Sequence, residues 1–384
     1  MSRPDPEIRM SLRTVAESRT QRLEVLDEKG RPDPSVEPKL PTETLLKMYR
    51  AMVEIRIFDE IAFKLQRQGR LGTYPQILGQ EATQIVPALA LRPKDWLVPT
   101  YRGQGAYYAR GMKLRYSLLY WGGDDRGVHF PEETNDLIFA IPVGSHLTQA
   151  AGLAWASKLK KDGAVTLAYL GDGTSSKGDF HEALTFAGSF KLPVVYLIEN
   201  NHWAISVPRE RQAAAETLAQ KASGYGVYGL QVDGNDALAV WKAVSGALDR
   251  ARSGEGATVL ECETYRIGHH TTADDAARYR PSAEVEAWKR KDPVLRLRSY
   301  LGGRGLWDEK REAELQARSQ EMIAEEIKAY ESFPPPNPLD MFANNYARAP
   351  WPLVEQRAEL AKILEESRDL EEVSSLPPPE GRFP

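Results

Sequence analysis

A Gly171-Asp172-Gly173 turn separates an apolar run, Ala164 to Leu170, from a helix-like segment, and the pair Asn200-Asn201 closes the next apolar run, Val194 to Glu199. Consecutive parallel strands joined through a helix end on the same edge of a sheet, so Asp172 and Asn201 can converge on one point. A carboxylate and an amide oxygen are hard ligands, suited to magnesium or calcium rather than zinc. The two glycines remove side chains where backbone amides would approach phosphate oxygens, and the positive helix end adds a favourable field. Together these describe a metal-bridged diphosphate site. Gly-Asp-Gly alone after a strand is more often a plain turn; the asparagine pair at the next strand end lifts it above that reading. The third glycine, Gly178, comes too late for G-x-G-x-x-G, and there is no GxxxxGK[ST] loop, which weakens the dinucleotide and nucleoside triphosphate alternatives.

The elements that would position these groups alternate along the chain. Apolar positions from Thr44 to Gln68 recur at helical spacing, with Gly69 as a stop. After the two runs above come a helix around Phe180 to Phe190, a strand at Leu230 to Val232, a helix from Asp236 to about Arg252 with Asn235 as candidate cap, and a strand from Thr258 to Thr264. The expected fold is α/β, a doubly wound and mostly parallel sheet with helical N- and C-terminal extensions. Residues 1–40 are charged and proline-bearing and are expected as an extended arm, 41–331 as the α/β domain, and 332–384 as a helical, Pro-rich extension beyond Phe333-Pro334-Pro335-Pro336. Read by itself, the apolar stretch Leu137 to Val143 is a buried strand.

At 384 residues and 42% hydrophobic content the chain can bury a sizeable core. Its net charge of −4 is dispersed, without the basic stripe that nucleic acid or an anionic membrane would need. One cysteine, Cys262, excludes an internal disulfide or a multi-cysteine metal cluster. No apolar stretch approaches the roughly 20 residues of a membrane span, and the N-terminus lacks a secretory apolar core, so a cytoplasmic location is expected.

The segments RQGRLGTYPQILGQEA, VPTYRGQG, GDGTSSKGDFHEALTFAG, ENNHWAISVP and YRIGHHTTADDAARYRP, in that order, resemble the α chains of the thiamine diphosphate-dependent pyruvate and branched-chain 2-oxo acid dehydrogenases. The resemblance spans roughly residues 42 to 360. It implies Asp172, Asn201 and the backbone carbonyl of Trp203 as magnesium ligands; most relatives carry tyrosine at that last position, but only the carbonyl is used. It implies Tyr101 and Arg102 on the diphosphate, where a guanidinium fork suits phosphate oxygens, with Gly173 and Thr174 amides beside them and the backbone of Ile141 and Val143 along the aminopyrimidine. Taken alone, Arg102 would be read as a surface salt bridge. His270 is implied at the cofactor during acyl transfer, as a proton donor near neutral pH, with His129 and His146 as weaker candidates on the substrate side. Asp274, Asp275, Tyr279 and Arg280 are expected to order the histidine loop. Animal relatives carry regulatory serines there; Thr271 and Thr272 depart from that pattern.

The activity so implied is oxidative decarboxylation of a small 2-oxo acid, pyruvate modestly favoured over the branched-chain 3-methyl-2-oxobutanoate, with the acyl group passing to a lipoyl domain of a dihydrolipoyl acyltransferase core. In two-chain members a β chain supplies the glutamate that activates the cofactor, and no second cofactor-binding half is evident in this sequence. The resemblance therefore implies a heterotetramer of two α and two β chains. Two other classes compete: a magnesium–nucleotide-binding protein, which lacks a base-reading signature, and a silent α-like scaffold, which would not need Asp172, Asn201, Arg102 and His270 together.

Overall fold

The structure, a computed structural model, describes residues 14–371 apart from 140 and 344. The chain divides into two compact units, Met1–Tyr330 and Glu331–Pro384. In the first, the strands are β1 (Gln21–Leu23), β2 (Trp96–Val98), β3 (Asn135–Asp136), β4 (Thr166–Gly171), β5 (Val194–Asn200), β6 (Trp203–Ala204), β7 (Val207–Pro208), β8 (Tyr228–Asp233) and β9 (Thr258–Glu263). The helices that frame the site are α1 (Thr42–Arg67), α2 (Glu81–Leu89), α3 (Gln104–Ala109), α4 (Leu114–Trp121), α5 (Ser145–Lys160), α6 (Gly178–Ser189) and α7 (Ala237–Arg252). Seven strands form one sheet in the order β1-β8-β9-β5-β4-β2-β3, with every neighbouring pair parallel. β6 and β7 form a separate antiparallel ribbon.

The central strands are apolar without alternation because both their faces are covered. Leu167 and Tyr169 of β4, with Val195 and Leu197 of β5, join a core built with α1, α2 and α7. Ala168 and Leu170, with Tyr196 and Ile198, join a second core with α5 and α6. The step from β4 to β5 and the step from β8 to β9 run in opposite directions across the sheet, so right-handed crossovers place α6 and α7 on opposite faces. The doubly wound arrangement expected from the sequence is present. β4 and β5 are paired through Gly171 and Glu199, so Asp172 and Asn201 leave the sheet at the same carboxyl edge.

Several boundaries differ in instructive ways. α7 is capped by Asp236 rather than Asn235: the Asp236 carboxylate accepts from the amides of Leu238 and Ala239 at 3.0 and 3.1 Å. The same side chain accepts from Val25 N at 2.7 Å, and Arg296 pairs with Asp233 at 2.7 Å while donating to the Asp27 carbonyl. The segment expected as an arm is thus fastened to its own sheet, where β1 adds an edge strand beside β8. Leu137 to Val143 does not form a buried strand. β3 ends at Asp136, Phe139 is buried, and Ile138, Ile141 and Val143 are exposed. Pro142 has no N–H to give a ladder, and Gly144 turns the chain at φ 90° into α5.

Cys262 is free and buried. The second unit contains a short turn, Pro338–Phe342, and α8 (Trp351–Glu371). Among the described residues no helix is long and apolar enough to cross a membrane.

Candidate active site

The carboxyl ends of β2, β4 and β5, with the loop that follows β9, surround a cavity of about 540 Å³, within the size range of small-ligand and cofactor sites. Asp172 and Asn201 both line it and are buried. Gln212 Nε2 donates to Asp172 Oδ2 at 3.1 Å; burial pushes the carboxyl pKa up, and this hydrogen bond opposes the shift. Asn201 Oδ1 accepts from Trp203 N at 3.2 Å. Among the described residues no three His, Cys, Asp or Glu side chains converge, so a cation here would need amide and carbonyl oxygens and oxygens of its ligand.

The glycines of the turn serve two different purposes. A Cβ on Gly173 would stand 2.6 Å from the Ala204 Cβ, so glycine lets the β4 turn meet the β6 ribbon. A Cβ on Gly171 would meet only Thr174 Oγ1, at 4.0 Å, and would occupy the cavity instead. The ribbon itself is held in an unusual backbone: His202 (φ 69°) and Ile205 (φ 56°) are left-handed, which costs a non-glycine residue on the order of 1–3 kcal/mol. Arg266, fully buried just after β9, sustains it by donating to the carbonyls of Trp203 and Ile205 at 3.3 and 2.8 Å.

Arg102 is buried beside the cavity and donates to the carbonyls of Gln76 and His270, with its guanidinium 5.5 Å from the Tyr101 ring centre. Its hydrogen-bond partners are carbonyls and an imidazole; Arg266 reaches Asp274 only through the Tyr279 hydroxyl. Arg102 lines the cavity without a carboxylate hydrogen-bond partner and Arg266 stands behind it, which suits this side of the wall to an anion. Burial, then Arg102, lowers the Arg266 pKa to about 10.

His270 Nδ1 lies 3.0 Å from Arg266 Nη1 and 3.3 Å from Arg102 Nη2. Guanidinium groups only donate, so Nδ1 is the acceptor and the proton sits on Nε2. Burial, then Arg102 and Arg266, push the pKa down to about 3. In this arrangement His270 is a neutral Nε2–H donor, not an imidazolium; a near-neutral pKa would require those positive charges to be offset. His269 accepts from Ala276 N at 3.1 Å and stacks on Phe63, ordering the loop from within. His146 is buried, lines the cavity and donates through Nε2 to the Tyr169 carbonyl at 2.7 Å; burial pushes its pKa down, and its Nδ1 is buried without a hydrogen-bond partner. His129 is exposed, packs on Tyr116 and is not part of that wall.

Tyr101, Thr174, Ile141, Val143 and Trp203 all line the cavity. Ile141 and Val143 stand at its rim, 54% and 40% exposed. The structure adds Gln80, Glu199, Gln212 and Arg266, which the sequence reading did not select. Glu199, pushed up to about 7 by burial and held by Thr83 and Gln84, directly precedes the asparagine pair and could have been suspected from its place at a strand end. Gln80 and Gln212 meet Asn201 and Asp172 from 121 and 40 residues away, and Arg266 meets the Trp203 and Ile205 carbonyls from 63 and 61 residues away, which nothing local marks.

The family model "Dehydrogenase E1 component" matches residues 49–339. Similar proteins include the pyruvate dehydrogenase E1 component subunit alpha of Acholeplasma laidlawii, 45% identical over 332 residues, or 86% of this chain and 96% of the relative. The proteins of the same name from Staphylococcus aureus and Staphylococcus epidermidis are each 42% identical over 342 residues, covering 88% of this chain and 92% of theirs.

Proposed function

The chain belongs to the dehydrogenase E1 component family, and we propose that it is the α chain of a thiamine diphosphate-dependent enzyme that oxidatively decarboxylates pyruvate. The observation that carries this reading is the meeting of Asp172, Asn201 and Trp203 with the Arg102 guanidinium, which lacks a carboxylate hydrogen-bond partner, at one cavity. Family membership implies thiamine diphosphate and a β-chain partner within a larger complex. We assign the heterotetrameric form, the lipoyl domain as acyl acceptor and a cytoplasmic location on the same reading.

The residues fit the cofactor. Asp172, Asn201 Oδ1 and the Trp203 carbonyl would hold Mg2+, with diphosphate oxygens filling the remaining positions. Arg102 would neutralise diphosphate charge directly, Tyr101 would pack beside it, and the Gly173 and Thr174 amides would donate to phosphate oxygens. Gly171 keeps the space free. The Ile141 and Val143 backbone would lie against the aminopyrimidine, at the exposed rim where the β chain would close the site. When bound, the cofactor supplies a nucleophilic ring carbon and an electron sink for the departing carboxylate. His270 would then hold a proton on Nε2 at the cavity wall. With diphosphate charge opposite Arg102, the His270 pKa would rise from about 3, which would suit it to a proton transfer during acyl transfer.

The test is turnover by the chain assembled with its β partner, pyruvate against 3-methyl-2-oxobutanoate, with and without thiamine diphosphate and Mg2+. Cofactor-dependent oxidation of pyruvate is expected. Preference for the branched substrate would replace the substrate assignment, and no turnover from an assembled complex would return the silent scaffold.

A further inference from the structure

We propose that Gln80 is a positioning residue for the cation, selecting which end of the Asn201 amide faces the metal; this rests on the cofactor reading above. Gln80 lies at the amino end of α2, fully buried, behind a backbone pinned at Gly79, where φ is 93° and a Cβ would stand 2.5 Å from the Tyr265 carbonyl. An amide side chain can present either oxygen or NH2, and only the oxygen can bind a cation. The Trp203 amide donates to Asn201 Oδ1 at 3.2 Å, so Nδ2 must point the other way. There Gln80 Oε1 accepts from it at 2.9 Å. The second lone pair of Asn201 Oδ1 stays available on the cavity side. Without Gln80, a single 3.2 Å contact would be left to hold the amide against rotation.

The orientation of Gln80 is fixed in turn. With Oε1 committed to Asn201, its Nε2 is buried without a hydrogen-bond partner while the residue lines the cavity. Buried amide donors are rarely left unpaired. An acceptor supplied by a ligand resolves this, and an anionic oxygen of the diphosphate held beside Asn201 has the required chemistry. One side chain therefore orients a metal ligand through its oxygen and meets the cofactor through its nitrogen.

The test follows Mg2+ binding without turnover, by quenching of tryptophan fluorescence in the full chain assembled with its β partner, at fixed thiamine diphosphate. Gln80→Met is expected to raise the half-saturating Mg2+ concentration by about 10–100-fold, the usual cost of losing a partner behind a metal ligand. Asn201→Asp offers oxygen at both positions, so orientation no longer matters; adding Gln80→Met to that variant should cost at least about threefold less than it does in the parent, leaving only the loss of the Nε2 contact. An equal loss in both backgrounds, or no loss in Gln80→Met alone, overturns the inference. Where Gln80→Met does not assemble, Gln80→Ala takes its place in both backgrounds, and the same outcomes overturn the inference. If the parent gives no response to Mg2+ with thiamine diphosphate, the cofactor reading itself has failed.

Discussion

The two ends of the cavity are built on opposite principles. At the floor, Asp172, Asn201 and Arg102 are buried, each held by the chain's own hydrogen bonds. At the rim, Ile141, Val143 and Ile205 are 54%, 40% and 56% exposed, apolar groups facing outward beside a polar site. A single chain can complete the charged floor because polar groups must be satisfied before they are buried. Apolar rim surface gains by being covered, and nothing within the described chain covers it. On the proposed reading, one chain would grip the cofactor at its diphosphate and another would enclose its ring.

Asp172→Ala strikes the floor alone and carries the largest expected effect, a fall of at least about 1,000-fold in turnover of the assembled enzyme through loss of a cation ligand. The β chain should still co-purify; a complex that also dissociated would mean floor and rim are not separate. Ile141→Asp strikes the rim: an unpaired charge in a closing interface should weaken β-chain association by about 100-fold. The melting midpoint of the isolated chain should hardly move. Loss of the fold instead would place Ile141 in the core.

The two glycines sharpen the comparison within the floor. Gly173→Ala forces the β6 ribbon aside and should lower stability by about 1–3 kcal/mol even without cofactor. Gly171→Ala should leave stability within about 0.5 kcal/mol and weaken thiamine diphosphate binding, read by calorimetry. Equal melting curves for the two variants would contradict the close approach. The smallest effect is in pH. His270, with a folded pKa of about 3, stays neutral while the unfolded chain takes up its proton below the ordinary histidine value. Its contribution to stability is therefore complete above about pH 6.5 and is lost as pH falls toward 3. Arg102→Met should raise that pKa, measured by the histidine proton resonances, and thiamine diphosphate with Mg2+ should raise it in the parent; no movement in either case would remove the guanidinium groups as its cause.

What could be read in the sequence was what adjacent residues determine. β4 and β5 were visible because burial on both faces makes them continuously apolar, and Asp172 and Asn201 because they follow directly at the strand ends. α1 was legible from its periodicity, running Thr42–Arg67 against an expected Thr44 to Gln68. Ile138 to Val143 misled because an exposed apolar segment has the composition of a core strand; only Pro142 hinted otherwise. Arg266 and Gln80 gave no sign, since an arginine bonded to the carbonyls of residues 203 and 205 acquires its meaning only when the chain folds. Asp236 shows the same limit: it caps a helix locally, yet also binds the amides of Val25 and Leu26 from more than 200 residues away.

The main sheet ends on one side in the three residues of β1 and on the other in the two of β3. An exposed strand edge is a template on which another extended chain can grow, and its danger increases with the length of free ladder it offers. Edges this short give an incoming strand almost nothing to copy. A newly made α chain, its apolar rim still bare, is thereby protected from the fibrous self-association to which open parallel sheets are prone while it waits for its partner.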